Sequence, residues 1–251
     1  MTVTDVNVVK SAIFERPDDA NKGTLGSLLC VCGSYGMAGA AVMSAKGALR
    51  TGIGLAKCAL PRSIYPIVAQ TILESVYYSL NENADGRISK VNVPFLVSES
   101  CKSSATLVGC GLGVCDDTLK IVFSLIENST TPLVLDADAL NCVAKQPEIL
   151  LRKKAPIIIT PHPGEMSRLT GLATPLVNAE RERVALDFAQ KYGVVTVLKG
   201  AGTVIASPNG KVLVNPTGNS GMATGGSGDV LAGMTASILA QGASAFSSAA
   251  A

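Results

Sequence analysis

The chain has 251 residues, of which 47% are apolar and only 16% charged, with a net charge of +2 and no tryptophan. That length suits one large α/β domain or two small ones, and a core drawn from Ala, Val, Ile and Leu is the composition of a parallel sheet covered on both faces. The near-neutral charge, without a basic stripe interleaved with aromatics, leaves no reason to expect nucleic acid or an anionic membrane as partner, and neither a signal core nor an apolar run of about 18 residues is present.

Short β-branched runs alternate with helical patterns along the chain. Strands are predicted over 27–32, 53–59, 73–78, 105–109, 132–136, 156–160 and 194–198. Helices are predicted over 39–51, 62–70, 116–128 and 178–192. This alternation reads as βαβ units around a parallel sheet. In the last of these helices Val184, Phe188 and Tyr192 recur at helical spacing behind the charged Glu180, Arg181, Glu182 and Arg183, as on a surface helix. The pattern then changes: 203–206 and 211–214 flank Ser207-Pro-Asn-Gly210, a hairpin with an Asn-Gly turn. A helix is predicted from about Asp229 to Gln241, followed by an Ala/Ser-rich tail over 243–251. No composition shift marks a second domain, so 1–251 is read as one.

Seven cysteines, at 30, 32, 58, 101, 110, 115 and 142, include no C-x-x-C pair. Cys30 and Cys32 lie in an apolar strand-like run, where cysteine acts as a small hydrophobe. A reducing cytoplasm without a disulfide framework is the expectation. With His162 as the only histidine, no zinc site is expected.

Ligands of open parallel sheets bind beyond the carboxyl ends of the strands, and several unusual segments fall there. Gly33-Ser-Tyr-Gly-Met-Ala-Gly-Ala40 follows the first strand without matching G-x-G-x-x-G, and Gly109-Cys-Gly-Leu-Gly113 follows another. Each suits a backbone approached closely by a ligand, or a plain βα turn. Asp136-Ala-Asp-Ala-Leu-Asn141 sets two carboxylates at a strand end, with Asp138 either a helix cap or a functional group. Thr160-Pro-His-Pro-Gly-Glu165 reads as a loop stiffened by two prolines, holding His162 for binding and Glu165 to orient a magnesium-bound water or a phosphate. Lys199-Gly-Ala-Gly-Thr203 ends a strand and suits a phosphate or ribose phosphate.

The richest segment is Asn215 to Gly233, with glycines at 218, 221, 225, 226 and 228 and then Asp229 before an apolar helical run. Glycines let backbone N–H groups turn inward, and the helix start adds its dipole, making an anion site suited to phosphate. An aspartate at its mouth suits a base that takes a proton from a group attacking the phosphate. The alternative is a tight turn with Asp229 as helix cap.

Together Gly33-Ser34, Met37-x-Gly39-Ala40, Asp136-Ala-Asp-Ala-Leu140, Thr160 to Glu165, Lys199-Gly200 with Thr203, and Ala223-Thr-Gly-Gly-Ser-Gly-Asp229 occur in one order. The chain resembles the ADP-dependent NAD(P)H-hydrate dehydratases of the ribokinase-like superfamily, from about Lys22 to Gly242. The resemblance implies a three-layer α/β/α sandwich with a mostly parallel sheet. It implies ADP-dependent conversion of the S form of hydrated NADH or NADPH to the dinucleotide, AMP and phosphate, with Mg2+. It makes Asp229 the base that activates the C6 hydroxyl, and Gly225, Gly226, Ser227 and Gly228 the anion hole. Lys199, Gly200, Ala201, Gly202 and Thr203, with Gly228, hold ADP or AMP. Ala40, Gly111, His162 and Asp229 line the hydrate site, and Glu165 organises magnesium indirectly. It also implies a cytoplasmic homotetramer. The epimerase domain often fused ahead of this family is absent from the sequence, and the usual helical segment beyond the catalytic helix is short. Two alternatives stay open: a ribokinase-like kinase of a hydroxymethyl-pyrimidine or thiazole alcohol, and a nucleotide-binding module without catalysis.

Overall fold

A computed structural model of the chain describes residues 6–13 and 15–251. Helix α1 (Val6–Ala12) precedes β1 (Ser27–Val31), α2 (Ala38–Arg50), β2 (Leu55–Pro61), α3 (Tyr65–Thr71), β3 (Val76–Leu80), α4 (Val93–Cys101) and β4 (Ala105–Val108). Next come α5 (Asp116–Asn128), β5 (Leu133–Leu135), α6 (Asp138–Val143), β6 (Ile157–Ile159), α7 (Pro163–Thr170), α8 (Thr174–Ala179) and α9 (Arg181–Tyr192). The chain ends with β7 (Val195–Leu198), β8 (Thr203–Ala206), β9 (Val212–Asn215), α10 (Ser227–Ala240) and α11 (Ala245–Ala250).

Among the described residues the strands form one sheet in the order β3-β2-β1-β4-β5-β6-β7-β8-β9. Pairs from β3 to β7 are parallel, and β8 and β9 add antiparallel. Alternate strand residues point to opposite faces, and both faces are covered. Leu28, Cys30, Cys58, Leu107, Val134 and Ile158 pack with Ala45 of α2, Val68 of α3, Ala236 of α10 and Ala250 of α11. Leu29, Val31, Val108, Leu135 and Ile159 pack with Leu96 of α4, Ile121 of α5, Leu140 of α6, Met166 of α7 and Phe188 of α9. The expected three-layer sandwich is therefore the fold.

The chain departs from β1 towards β2 and, on returning, places β4 on the other side of β1. Loops after β1 and β4 thus diverge and open a crevice at this switch point. They are tied where they start: Gly33 N donates to Cys110 O at 2.8 Å and Ser34 Oγ to Gly111 O at 2.8 Å. Helix α10 reaches the crevice because it crosses α2 with the backbones nearly touching. A Cβ at Gly233 would lie 2.0 Å from Ser44 O, and one at Gly47 would lie 2.7 Å from Val230 O.

Several sequence expectations change. Helix α10 begins at Ser227, not Asp229, because Gly226 takes φ 93° and lets the chain enter the helix there. The segment over 160–165 is not a loop throughout: Pro163 opens α7, a position where its missing N–H costs nothing. The Ala/Ser tail holds α11, capped by Ser244, whose Ala250 is buried. Helices α1, α4 and α6 lie outside the sequence expectations, and the helix expected over 178–192 divides at Glu180 into the end of α8 and the whole of α9.

Candidate active site

Three strand ends converge beside the crevice. Asp136 follows β5, Thr160 follows β6 and Lys199 follows β7, and these strands are neighbours. Asp136 is 2% exposed, a depth at which a carboxylate needs full partnership. Its Oδ1 accepts from Thr160 Oγ1 and from Lys199 Nζ, both at 2.7 Å, and its Oδ2 accepts from Cys110 Sγ at 3.7 Å. Lys199 Nζ lies 3.8 Å from Glu165 Oε2 as well. Burial works against the ammonium, but Asp136 and then Glu165 outweigh it and raise its pKa.

Glu165 is held by the start of α7. His162 is the N-cap: its Nδ1 accepts from Gly164 N at 3.0 Å and from Glu165 N at 3.4 Å. Glu165 Oε2 accepts in return from His162 N at 2.8 Å, completing a reciprocal cap. Accepting at Nδ1 leaves the ring proton on Nε2, which faces Glu165 Oε1 at 3.5 Å. Burial pushes the Glu165 carboxyl up, against the pull of Lys199 and the His162 amide. The imidazole stays half exposed while the acid behind it is buried.

The Asp136–Asp138 turn carries the positive-φ non-glycine among the described residues, Ala137 at φ 49°. Such a conformation costs energy and clusters at functional sites. Here it sends successive acids different ways. Asp138 Oδ2 accepts from Gly113 N at 2.8 Å and its Oδ1 accepts from Asn141 Nδ2 at 3.2 Å. Asp138 is the first residue of α6, with Ala137 as N-cap, so it anchors the β4–α5 loop and does not cap. Gly109 is required beneath, since a Cβ there would sit 1.9 Å from Asp136 O.

Asp229 is the third residue of α10, so the capping alternative falls away. Its carboxylate, Cys110 Sγ and an Asp136 oxygen all lie within 4.8 Å of one another. Burial raises the Asp229 pKa and Asp136 adds to this, while the Cys110 hydrogen bond and Lys199 pull it down. The result is a carboxylate more basic than usual, next to a cation. A Cβ at Gly228 would lie 3.4 Å from Lys199 Nζ, so the first turn of α10 passes over that ammonium. First-turn N–H groups of a helix lack intrahelical acceptors and favour anions. Gly226 is fixed as glycine both by its φ and by Met43, whose Sδ would be 2.1 Å from a Cβ. Ser227 Oγ is committed to Met222 O at 2.8 Å and Thr224 O at 3.1 Å, bracing the turn.

The remaining candidates lie around this centre. Gly111 (φ 62°) packs on Ala40, with a Cβ there only 2.7 Å from Ala40 Cβ. Ala40 is 4% exposed, so it shapes the crevice wall through close packing against the backbone. Gly200, Ala201, Gly202 and Thr203 turn away from Lys199 into β8. Arg181 holds the entry to this turn: its Nη2 donates to Leu198 O at 2.7 Å and Lys199 O at 3.1 Å, and reaches Gly202 O at 3.5 Å. Ala201 and Gly202 border a cleft of about 640 Å³ that also includes Asn178, Arg181 and Val214. Lys199 thus belongs to the Asp136–Glu165 centre, and the loop directly after it borders the cleft beside α9. Asp136, Thr160 and Cys110 were not assigned site roles from sequence. The acid pair at a strand end was the available signal for Asp136; a lone Thr and Cys offered none.

The Carb_kinase family model, described as NAD(P)H-hydrate dehydratase, matches residues 28–251. The ADP-dependent (S)-NAD(P)H-hydrate dehydratase of Neisseria meningitidis is 36% identical over 93% of this chain and 76% of its own. The bifunctional NAD(P)H-hydrate repair enzyme of Moorella thermoacetica is 39% identical over 93% of this chain, which spans 44% of that relative's length. The ADP/ATP-dependent NAD(P)H-hydrate dehydratase of Bacillus subtilis, co-crystallised with ATP/Mg2+, superposes with a TM-score of 0.84 at 30% identity, covering 99% of this chain and 84% of that one. The chain belongs to the NAD(P)H-hydrate dehydratase family and has its ribokinase-like fold.

Proposed function

We propose that this chain, as a single dehydratase domain, catalyses ADP-dependent dehydration of the S form of hydrated NADH or NADPH. The observation that carries the reading is Asp229. It stands at the start of α10 under the glycine turn, beside the buried Lys199–Asp136 pair, with its carboxyl raised above the ordinary range. A base needs a pKa nearer neutrality than a solvated aspartate has. Asp229 accepts the proton of the C6 hydroxyl as its oxygen attacks the β-phosphoryl of ADP. AMP leaves, the phosphate ester forms, and loss of phosphate from C6 together with a proton from C5 restores the C5=C6 double bond of the reduced nicotinamide. The charge on the transferring phosphoryl oxygens is met by the N–H groups of Gly225, Gly226, Ser227 and Gly228 and by the Lys199 ammonium. Gly200 to Thr203 hold the adenosine side. Ala40 and Gly111 form the wall for the hydrate, with the half-exposed His162 at its edge.

Mg2+ would neutralise the phosphates. Both Glu165 oxygens face His162, and Oε2 also faces Lys199, which fits contact with a hydrated magnesium ion and not direct ligation. A homotetramer in the cytoplasm accompanies this reading. The hydrate-repair names of the relatives favour it over the kinase, which would share Asp229 and the anion turn. Purified protein, supplied with hydrated NADH, ADP and Mg2+, should restore the reduced-nicotinamide absorbance with equimolar AMP and phosphate. Transfer of phosphate to a thiazole alcohol, with no recovery of NADH, would make the kinase the answer.

A further inference from the structure

The floor of the crevice combines one sulphur with two carboxylates. Cys110 Sγ and oxygens of Asp136 and Asp229 lie mutually within 4.8 Å. The proposed chemistry uses the carboxylates and makes no use of the thiol, so this donor set has a capacity the reaction does not explain.

One edge of this donor set has the span of a metal chelate. With bonds of about 2.3 Å to sulphur and 2.0 Å to oxygen, a tetrahedral cation separates those two atoms by about 3.5 Å. Cys110 Sγ and Asp136 Oδ2 are 3.7 Å apart. The donors are also fixed in advance. Cys110 sits between Gly109 at φ 125° and Gly111 at φ 62°, and its carbonyl is held by Gly33 N at 2.8 Å. Asp136 is anchored through its other oxygen by Thr160 and Lys199, which aims Oδ2 at the thiol. Charge closes as well. A divalent cation offsets the thiolate and the Asp229 carboxylate, while Asp136 keeps its pairing with the Lys199 ammonium. Magnesium prefers oxygen donors alone, whereas a thiolate selects thiophilic ions.

We infer that Cys110, Asp136 and Asp229 form a binding site for a thiophilic divalent cation such as Zn2+ or Cd2+, and that its occupancy silences Asp229 as a base. On binding, the thiol proton passes to solvent, one metal–sulphur and two metal–oxygen bonds form, and no electron is transferred. Water or a nucleotide oxygen completes the shell. The silencing half rests on the proposed dehydratase reading; the binding half does not.

The test is titration of metal-free, folded protein with Cd2+, following the ultraviolet thiolate-to-cadmium charge-transfer band. The half-exposed Cys101 and Cys115 are controlled by a Cys101→Ser/Cys115→Ser variant. Wild type and that control should show the band at one ion per chain. Cys110→Ser and Cys110→Ala, each checked for an intact thermal transition, should lose it, and Asp229→Asn should bind at least about tenfold more weakly. An undiminished band in both Cys110 variants, or no band in the wild type, overturns the site. Zn2+ should inhibit wild-type turnover in the presence of Mg2+ at concentrations at least about tenfold lower than for Cys110→Ser, each measured against its own rate without Zn2+. Bound metal without inhibition of an active enzyme overturns the silencing. A chain that binds Cd2+ through Cys110 yet never dehydrates the hydrate fails the functional reading and leaves the site standing.

Discussion

The two halves of the site are built in opposite ways. At and just beyond the ends of β5, β6 and β7, Asp136, Thr160, Glu165 and Lys199 are buried or nearly so, partnered with one another across adjacent strands or through the cap of α7. The glycine-rich stretch between β9 and α10 is exposed from 216 to 225 and shaped mostly by its own short-range bonds. Asn215 Oδ1 accepts from Thr217 N at 2.9 Å and Asn219 Oδ1 from Gly221 N at 2.9 Å. The contrast separates two physical jobs. Holding charge ready at a reacting centre requires a preorganised, dehydrated network. Wrapping a phosphate requires backbone N–H groups on a segment that a ligand can reach.

Breaking the first half should therefore affect chemistry most. Lys199→Met should lower kcat by about 100- to 1,000-fold. It should also move the acid limb of the kcat profile to higher pH, because Lys199 helps hold down the raised Asp229 carboxyl. An unmoved limb would separate Lys199 from the base. Next comes the scaffold: Gly233→Val forces a side chain into Ser44 O at the α2–α10 crossing and should cost about 3 kcal/mol in denaturant unfolding. Thr160→Val removes one donor to Asp136 and should cost about 1–3 kcal/mol, with kcat falling more than KM rises.

The second half should behave otherwise. Asn219→Ala should reduce stability by less than about 1 kcal/mol while still slowing phosphoryl transfer, since the loop's order matters only when phosphate is bound. A large loss of stability there would erase the contrast. The smallest effect is a stability gain. The folded state raises the Asp229 pKa, so the ionised form carries a cost at neutral pH. Asp229→Asn should melt slightly higher than wild type above that raised value, with the gain vanishing as pH falls through the ordinary aspartate range.

Much of this was legible in the sequence. Val184, Phe188 and Tyr192 are buried on α9 as their spacing requires, and the Asn-Gly turn does join β8 to β9. The glycine-rich segment does open a helix with Asp229 in its first turn. What stayed hidden depends on tertiary proximity. Thr160 and Lys199 are 39 positions apart in the chain, and only adjacent strands bring both to Asp136. His162 read as loop because two prolines suggest rigidity without direction. That Pro163 starts a helix follows from the reciprocal cap with Glu165, which an H-x-x-E spacing expresses only weakly. Helices α6 and α8, six residues each, are too short for a periodic signal.

The central claim is that Asp229 takes the proton from the substrate hydroxyl. The most direct measurement is turnover of (S)-hydrated NADH by Asp229→Asn, with ADP affinity measured on the same protein. ADP should bind Asp229→Asn as tightly as wild type or more so, since a repelling charge is gone, with turnover reduced by at least about 100-fold. An Asp229→Asn protein that binds ADP and turns over at the wild-type rate would contradict it.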